Sequence, residues 1–143
     1  MISKSKYVSD VMSSKVLAVK NNETLAEVFR LMDENNFRHV PVVDEDKNIV
    51  GILSDRDILK HFVDEDLKIA SLSQGEYLSD HPVSELMTSD PITVNCDTLL
   101  SEACQLLLES KFNCLPVVDN QYLIGILTTS DVLRAMMSAG DES

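Results

Sequence analysis

Two short segments of the chain place a hydroxyl and a carboxylate one helical turn apart. They are Ser54-Asp55-Arg56-Asp57 and Thr128-Thr129-Ser130-Asp131, and each follows a run that begins with glycine and two aliphatic residues. A helix that starts there would offer free backbone N–H groups and the positive end of its dipole, which together attract anions. The hydroxyl would lie beside a phosphate, and the last aspartate would accept hydrogen bonds from the hydroxyls of a ribose, as acids do in dinucleotide-binding folds.

The same spacing also fits a purely structural role. Ser or Thr followed three residues later by an acid resembles a capping box, although Glu or Gln is more usual at the last position. Because the pattern occurs twice, after matching strands, it favours ligand binding. Helix capping stays open as the alternative.

Three blocks of sequence recur in the same order, so the chain contains an internal repeat. The matching blocks are Val8–Ser14 with Val83–Ser89, Phe37–Asp44 with Phe112–Asp119, and Gly51–Leu59 with Gly125–Leu133. The blocks of the third pair are separated by one residue less along the sequence than those of the other two pairs. One turn of the second copy is therefore one residue shorter. We place the first repeat at residues 8–62, an acidic linker at 63–81 and the second repeat at 83–138.

Each repeat predicts the order β-α-β-β-α, which gives an α/β (α+β) fold. The continuous apolar runs Val40–Val43 and Leu115–Val118 predict strands that are buried on both faces. Short entry strands are predicted at Val16–Val19 and Ile92–Val94, and closing helices at 55–62 and 129–137. One repeat is too small to cover its own sheet, so we expect two sheets packed together with helices outside.

Composition and charge restrict the partners. Among 143 residues, 12 are Lys or Arg and 24 are Asp or Glu, which gives a net charge of −12. Nucleic acids and anionic membranes attract basic surfaces, so neither is expected as a partner. No signal peptide and no apolar run near the ~20 residues of a membrane span are recognisable.

The cysteines are Cys96, Cys104 and Cys114, an odd number without metal-ligand spacing. We interpret them as reduced, buried thiols of a cytoplasmic protein. No metal site is expected.

The repeated motifs are similar to those of the CBS domain family, named for cystathionine β-synthase. The resemblance is carried by Pro-Val-Val-Asp at 41–44 and 116–119, and by Gly-Ile-Leu-Ser/Thr-x-x-Asp at 51–57 and 125–131. It implies a tandem pair related by a pseudo-two-fold axis, often called a Bateman module. Such modules bind AMP, ADP, ATP, S-adenosylmethionine or related adenine compounds, and Mg²⁺ can accompany the phosphates.

Carried over residue by residue, the resemblance implies two nucleotide sites, each shared between the repeats. The first would combine Thr128 and Asp131 with Val16, Leu17, Arg38 and His39. The second would combine Ser54, Arg56 and Asp57 with Thr88, Pro91, Ile92, Asn113 and Cys114. We expect the first to bind more tightly, because Arg38 and His39 would contact phosphate there, whereas Asp90 would oppose phosphate at the second. The alternative for Arg38 and His39 is a solvated strand end, and for Arg56 a surface salt bridge.

We therefore expect a regulatory adenine-nucleotide sensor, forming a homodimer and acting on an effector protein that the sequence does not identify. The alternative is a pair that serves only dimerisation or interaction and has lost its ligand. Catalysis is not expected, since no matched Ser/His/Asp or Cys/His set and no Gly-rich Lys-Ser/Thr loop occurs. Apolar candidates for the dimer surface, with core packing as the alternative, are Leu59, Phe62, Leu133, Met136 and Met137.

Overall fold

The computed structural model describes residues 6–64, 78–110 and 113–142. Most of the predicted linker, residues 65–77, lies outside this described part, as does Phe112. Helices and two β-sheets make up the fold, so the predicted α+β class is confirmed. The chain forms two compact units, Leu17–Asp90 (the first unit) and Met1–Val16 with Pro91–Ser143 (the second unit).

The first unit contains a four-stranded sheet in the order β1-β2-β3-β4. Strand β1 is parallel to β2, and the other two pairings are antiparallel. Its elements are β1 (Val19–Lys20), α1 (Leu25–Asn35), β2 (His39–Val43), β3 (Ile49–Ser54), α2 (Asp55–Asp64) and β4 (Thr88–Ser89).

The second unit repeats this arrangement with a three-stranded sheet in the order β5-β6-β7. A single bridge between Ser13 and Ile126 stands where the first unit has the pairing of β3 with β4. The elements are β5 (Val94–Asn95), α3 (Leu100–Glu109), β6 (Cys114–Asp119), β7 (Tyr122–Thr128) and α4 (Thr129–Glu142).

Local sequence explains most of these boundaries. Thr24 caps α1 by accepting the N–H of Glu27 at 3.2 Å, and the helix ends at Asn36, whose φ of 56° lies in the left-handed region. Strands β2 and β6 are buried along almost their whole length, as their apolar runs predict. The predicted entry strands at 16–19 and 92–94 begin too early and are too long. The observed strands β1 and β5 have only two residues each and start at Val19 and Val94.

The first residues of each repeat pack into a different unit from the rest of that repeat. Val8 begins a 3₁₀ turn in the second unit and donates its N–H to Thr98 O at 2.9 Å. Val83 begins the matching turn in the first unit and donates to Glu23 O at 2.7 Å. Both valines are fully buried in their cores. Each repeat therefore contributes its leading segment to the unit that contains the rest of the other repeat.

Candidate functional site

In the first unit, Ser54 and Asp57 form a reciprocal cap at the junction of β3 and α2. The N–H of Ser54 donates to Asp57 Oδ2 at 2.9 Å, and the N–H of Asp57 donates to Ser54 Oγ at 3.1 Å. Ser54 is buried, with 3% of its surface exposed. The capping box that the sequence allowed is therefore present.

The second unit has the same cap between β7 and α4. The N–H of Thr128 donates to Asp131 Oδ2 at 2.9 Å, and the N–H of Asp131 donates to Thr128 Oγ1 at 3.1 Å. An ionised carboxylate has about four acceptor positions. Capping thus leaves acceptor capacity on each aspartate, and the structural role does not exclude a ligand.

In the first unit, the start of β2 lies next to the cap. His39 is directly opposite Ser54 in the antiparallel register, so both side chains lie on the same face of the sheet. The N–H of Asp55 donates to the carbonyl oxygen of Arg38 at 3.0 Å. The side chains of Arg38 and Arg56 are exposed. This unit therefore brings three predicted cationic or titratable residues to one end of its sheet.

Burial has the largest influence on the imidazole of His39 and lowers its pKa below the ordinary value of 6.5. The carboxylates of Asp55 and Asp57 act in the opposite direction, and the guanidinium of Arg38 adds to the lowering. The charged form is therefore disfavoured in the unliganded protein, despite two acids close by.

In the second unit, Cys114 occupies the position that His39 has in the first. It is opposite Thr128 in the register, and the N–H of Thr129 donates to Asn113 O at 3.1 Å. Asn113 has a φ of 58°, in the left-handed region that asparagine tolerates. Burial raises the pKa of the Cys114 thiol to about 12, so it stays protonated at neutral pH. Of the other two thiols, predicted to be buried, Cys96 and Cys104 are only half-buried.

Arg134 is a neighbour of this cap that the sequence analysis missed. Its Nη2 lies 2.7 Å from Asp131 Oδ1, although the Arg134 side chain is 70% exposed. The i,i+3 spacing on a helix would have signalled the pair. Together with Lys6 and Asp10, these residues line an open groove of about 250 Å³ in the second unit. The matching lysine, Lys60, makes no ion pair with Asp57 in the described part of the first unit.

The remaining predicted site residues take no part in the hydrogen bonds that form the two caps. In the first unit, Thr88 of β4 pairs with Ile52 and is exposed. In the second, Pro91 is half-buried and Ile92 is 47% exposed. Val16 and Leu17 fall on either side of the unit boundary. The predicted combination of Asp131 with Arg38 and His39 joins residues of different units, and it stays a prediction. The alternative salt bridge of Arg56 is not formed among the described residues.

A sequence model of the CBS domain matches residues 8–64 and again residues 83–138. The chain belongs to the CBS domain family. This CBS pair is 32% identical over 131 residues to the CBS domain-containing protein YhcV of Bacillus subtilis, covering 92% of this chain and 86% of that protein. It is also similar to the crystal structure of CBSX2 of Arabidopsis thaliana in complex with AMP, at 36% identity and a TM-score of 0.79. That match covers 94% of this chain and 98% of the crystallised chain, and this chain spans 60% of the full-length CBSX2 protein.

A second similar structure contains metal. The CBS pair resembles Hypoxic Response Protein I with two coordinated zinc ions, at 25% identity and a TM-score of 0.75, covering 90% of this chain and 98% of the other. Within residues 6–64, 78–110 and 113–142, no group of three His, Cys, Asp or Glu side chains is placed to hold a metal ion. The helices found there also lack the length and apolar character needed to cross a bilayer.

Proposed function

We propose that this CBS pair is a regulatory module that binds an adenine nucleotide and has no catalytic activity of its own. One observation carries the proposal, namely that the same cap of hydroxyl and aspartate begins a helix at the same place in both units. The similar protein CBSX2, of whose crystallised chain this chain covers 98%, was crystallised with AMP, which supports an adenylate as the ligand.

Each group of the cap has a distinct part in binding. The carboxylates of Asp57 and Asp131 accept hydrogen bonds from ribose hydroxyls, using acceptor positions that capping leaves available. Two N–H groups at each helix start are already donated within the protein, so the positive end of the helix dipole is what favours a phosphate there. Arg38 and His39 supply further phosphate contacts, and Mg²⁺ can accompany a di- or triphosphate. Binding then changes how the chain pairs with itself or with an effector protein.

Thermal melting tests the proposal directly. The purified protein is heated with AMP, ADP, ATP, S-adenosylmethionine, NAD or cyclic dinucleotides, each with and without Mg²⁺. A ligand at a hundredfold excess over its Kd stabilises the native state by about 2.7 kcal/mol. An unchanged melting temperature across the whole panel would contradict nucleotide binding. The better interpretation would then be a pair that serves only dimerisation or interaction.

Calorimetric titration of single substitutions then identifies the binding groups. Asp131→Asn and Asp57→Asn keep an oxygen that can cap the helix but lose the charge, so folding should survive. A hydrogen bond to a charged group contributes about 1.5–3 kcal/mol, so the Kd should rise about ten- to hundredfold. We expect the larger loss for Asp131→Asn. The matched control is Asp119→Asn, an exposed acid at the far end of β6.

A second property follows from exposed apolar side chains on the closing helices. Leu59 on α2 is 65% exposed, and Leu133 and Met137 on α4 are 54% and 73% exposed. The side chain of Phe62 lies outside the described part. Leu133 and Met137 lie one turn apart on α4, and apolar side chains grouped in this way mark contact surfaces, whereas single ones do not. We propose that these helices form a homodimer. Light scattering should show that Leu133→Glu gives monomers, whereas Leu108→Glu, at an 82% exposed site on α3, leaves the dimer. A monomeric wild type would contradict it.

The compartment is also part of the proposal. The cysteines in the described part of the chain are free thiols, Cys96, Cys104 and Cys114. Reducing conditions in the cytoplasm keep thiols in this state, which supports a cytoplasmic protein.

A further inference from the structure

His39 belongs to a cluster at the junction of three elements of the first unit. It faces Ser54 across the β2–β3 register, which places their Cβ atoms about 5 Å apart. Ser54 accepts the N–H of Asp57 at 3.1 Å, and the N–H of Asp55 binds the carbonyl oxygen next to His39 in the chain, that of Arg38. The imidazole is therefore beside the start of α2, and the proposed function makes His39 one of the groups that contact the phosphate.

Within the described part of the chain, charged groups of two elements act on this imidazole. Arg38 precedes it on β2, and Asp55 and Asp57 begin α2, while its neighbour on β3, Ser54, is neutral. The two acids alone would hold a proton on the ring. Burial and Arg38 outweigh them, so the pKa stays below its ordinary value. An additional negative charge at this position would reverse the balance.

We propose that His39 takes up one proton when a nucleotide phosphate binds beside it, so that affinity for phosphorylated nucleotides rises as the pH falls. The inference rests on the proposed nucleotide-binding function and adds to it a response to acidification. A nucleotide monophosphate carries about −1.5 to −2 charges at pH 7, which favours an adjacent imidazolium. The proton comes from solvent and goes to an imidazole nitrogen, so binding is accompanied by net proton uptake.

The second unit lacks this response. At the matching position, Cys114 carries a thiol whose pKa burial raises to about 12, far above the physiological range. The two caps are alike in their hydrogen bonds but differ in the one side chain that can change its charge near pH 7. The response therefore depends on His39.

Nuclear magnetic resonance of the histidine ring protons tests the inference on the unmodified protein. The chain has three histidines, and the signal of His39 is identified by its loss in His39→Gln. The pH is varied with no ligand, with adenosine and with AMP. We expect the midpoint of His39 to move upwards with AMP and to stay in place with adenosine, which has no phosphate.

Calorimetry in buffers of different ionisation enthalpy measures the same event as proton uptake. AMP binding should take up as much as one proton more in the wild type than in His39→Gln. For each pH unit of acidification, the affinity of the wild type for AMP should rise by up to about tenfold more than that of the variant. The phosphate of AMP titrates in both proteins, so its contribution cancels. The control is His81→Gln, which removes an imidazole held by Glu85 at 2.6 Å. His39→Asn serves as a second substitution.

The outcomes separate the two proposals. If AMP binds and the midpoint of His39 does not move, proton coupling is wrong and the nucleotide-binding function stands. If His81→Gln reduces proton uptake as much as His39→Gln does, the assignment to His39 is wrong. If neither AMP nor any of the other nucleotides binds at any pH, the proposed function itself is wrong.

Discussion

The sulfur of Met12 lies so close to Gly125 that a Cβ atom on this glycine would stand 2.7 Å from it, and 2.9 Å from the carbonyl oxygen of Ser13. Gly51 has the same relationship with Met87 in the first unit. Neither glycine has a positive φ, so backbone freedom does not explain the residue type. Glycine is needed because the leading segment crosses the strand at this point.

Substitution of Gly125 by alanine should lower the free energy of unfolding by about 1–3 kcal/mol, the usual cost of overpacking a core. The neighbouring carbonyl belongs to the backbone and cannot turn away as a side chain can. Urea unfolding at 25 °C measures the change. In a double-mutant cycle, Met12→Ala should recover part of the loss. A Gly125→Ala protein within about 0.5 kcal/mol of the wild type would show that the contact relaxes freely.

The hydroxyls of the two caps should contribute stability that is separable from binding. Thr128→Ala and Ser54→Ala each remove the acceptor of one helix N–H, which should cost about 0.5–2 kcal/mol. The aspartates keep their charge, so AMP should bind more tightly to Thr128→Ala than to Asp131→Asn. Chemical denaturation and calorimetry report the two quantities. Ser130→Ala, an exposed position in the same turn, is the control.

The stability of the unliganded protein should depend on His39 near pH 6.5. Since its pKa is lower in the folded state, the unfolded chain binds the proton more readily. Stability should therefore fall as the pH drops through 6.5 towards the folded pKa, and be fully regained above 6.5. Melting curves over this range should be less pH-dependent in His39→Gln. An unchanged pH dependence in the variant would contradict the assignment.

Val8 and Val83 should each stabilise the unit into which they pack. Burying a valine contributes about 1.5–3 kcal/mol, and the two side chains are fully buried in different cores. Val8→Ala should accelerate hydrogen exchange in β6 and β7, and Val83→Ala in β2 and β3. The two substitutions serve as controls for each other. If Val8→Ala acted first on β2 and β3, the leading segments would be wrongly assigned.

Much of the fold could be predicted because its signals are local. The apolar runs of β2 and β6 reflect burial on both faces, and the helices at Asp55 and Thr129 begin where the repeated motif indicates. The capping box was also readable, since both of its partners lie three residues apart. Periodicity and capping require only neighbouring residues, so one sequence is enough to recognise them.

What was missed depends on distant contacts. Nothing in the residues around Ser13 indicates that its backbone will pair with Ile126. The two-residue strands β1 and β5 are too short for an alternation pattern to locate them. The position of His39 beside Ser54 follows from the register of two strands, which the apolar run alone does not set. The residues of the two caps could therefore be predicted from the sequence, whereas the residues that lie next to each cap could not.

The exchange of leading segments has a consequence for the origin of the protein. The stretch of sequence that is duplicated is not the stretch that folds into one unit. A single ancestral copy would have completed its sheet only with the leading segment of a second, identical chain. Tandem duplication would then have turned an exchange between two molecules into one within a molecule. Each repeat therefore corresponds to half of a reciprocal pair, and the duplicated sequence joins both halves covalently in one chain.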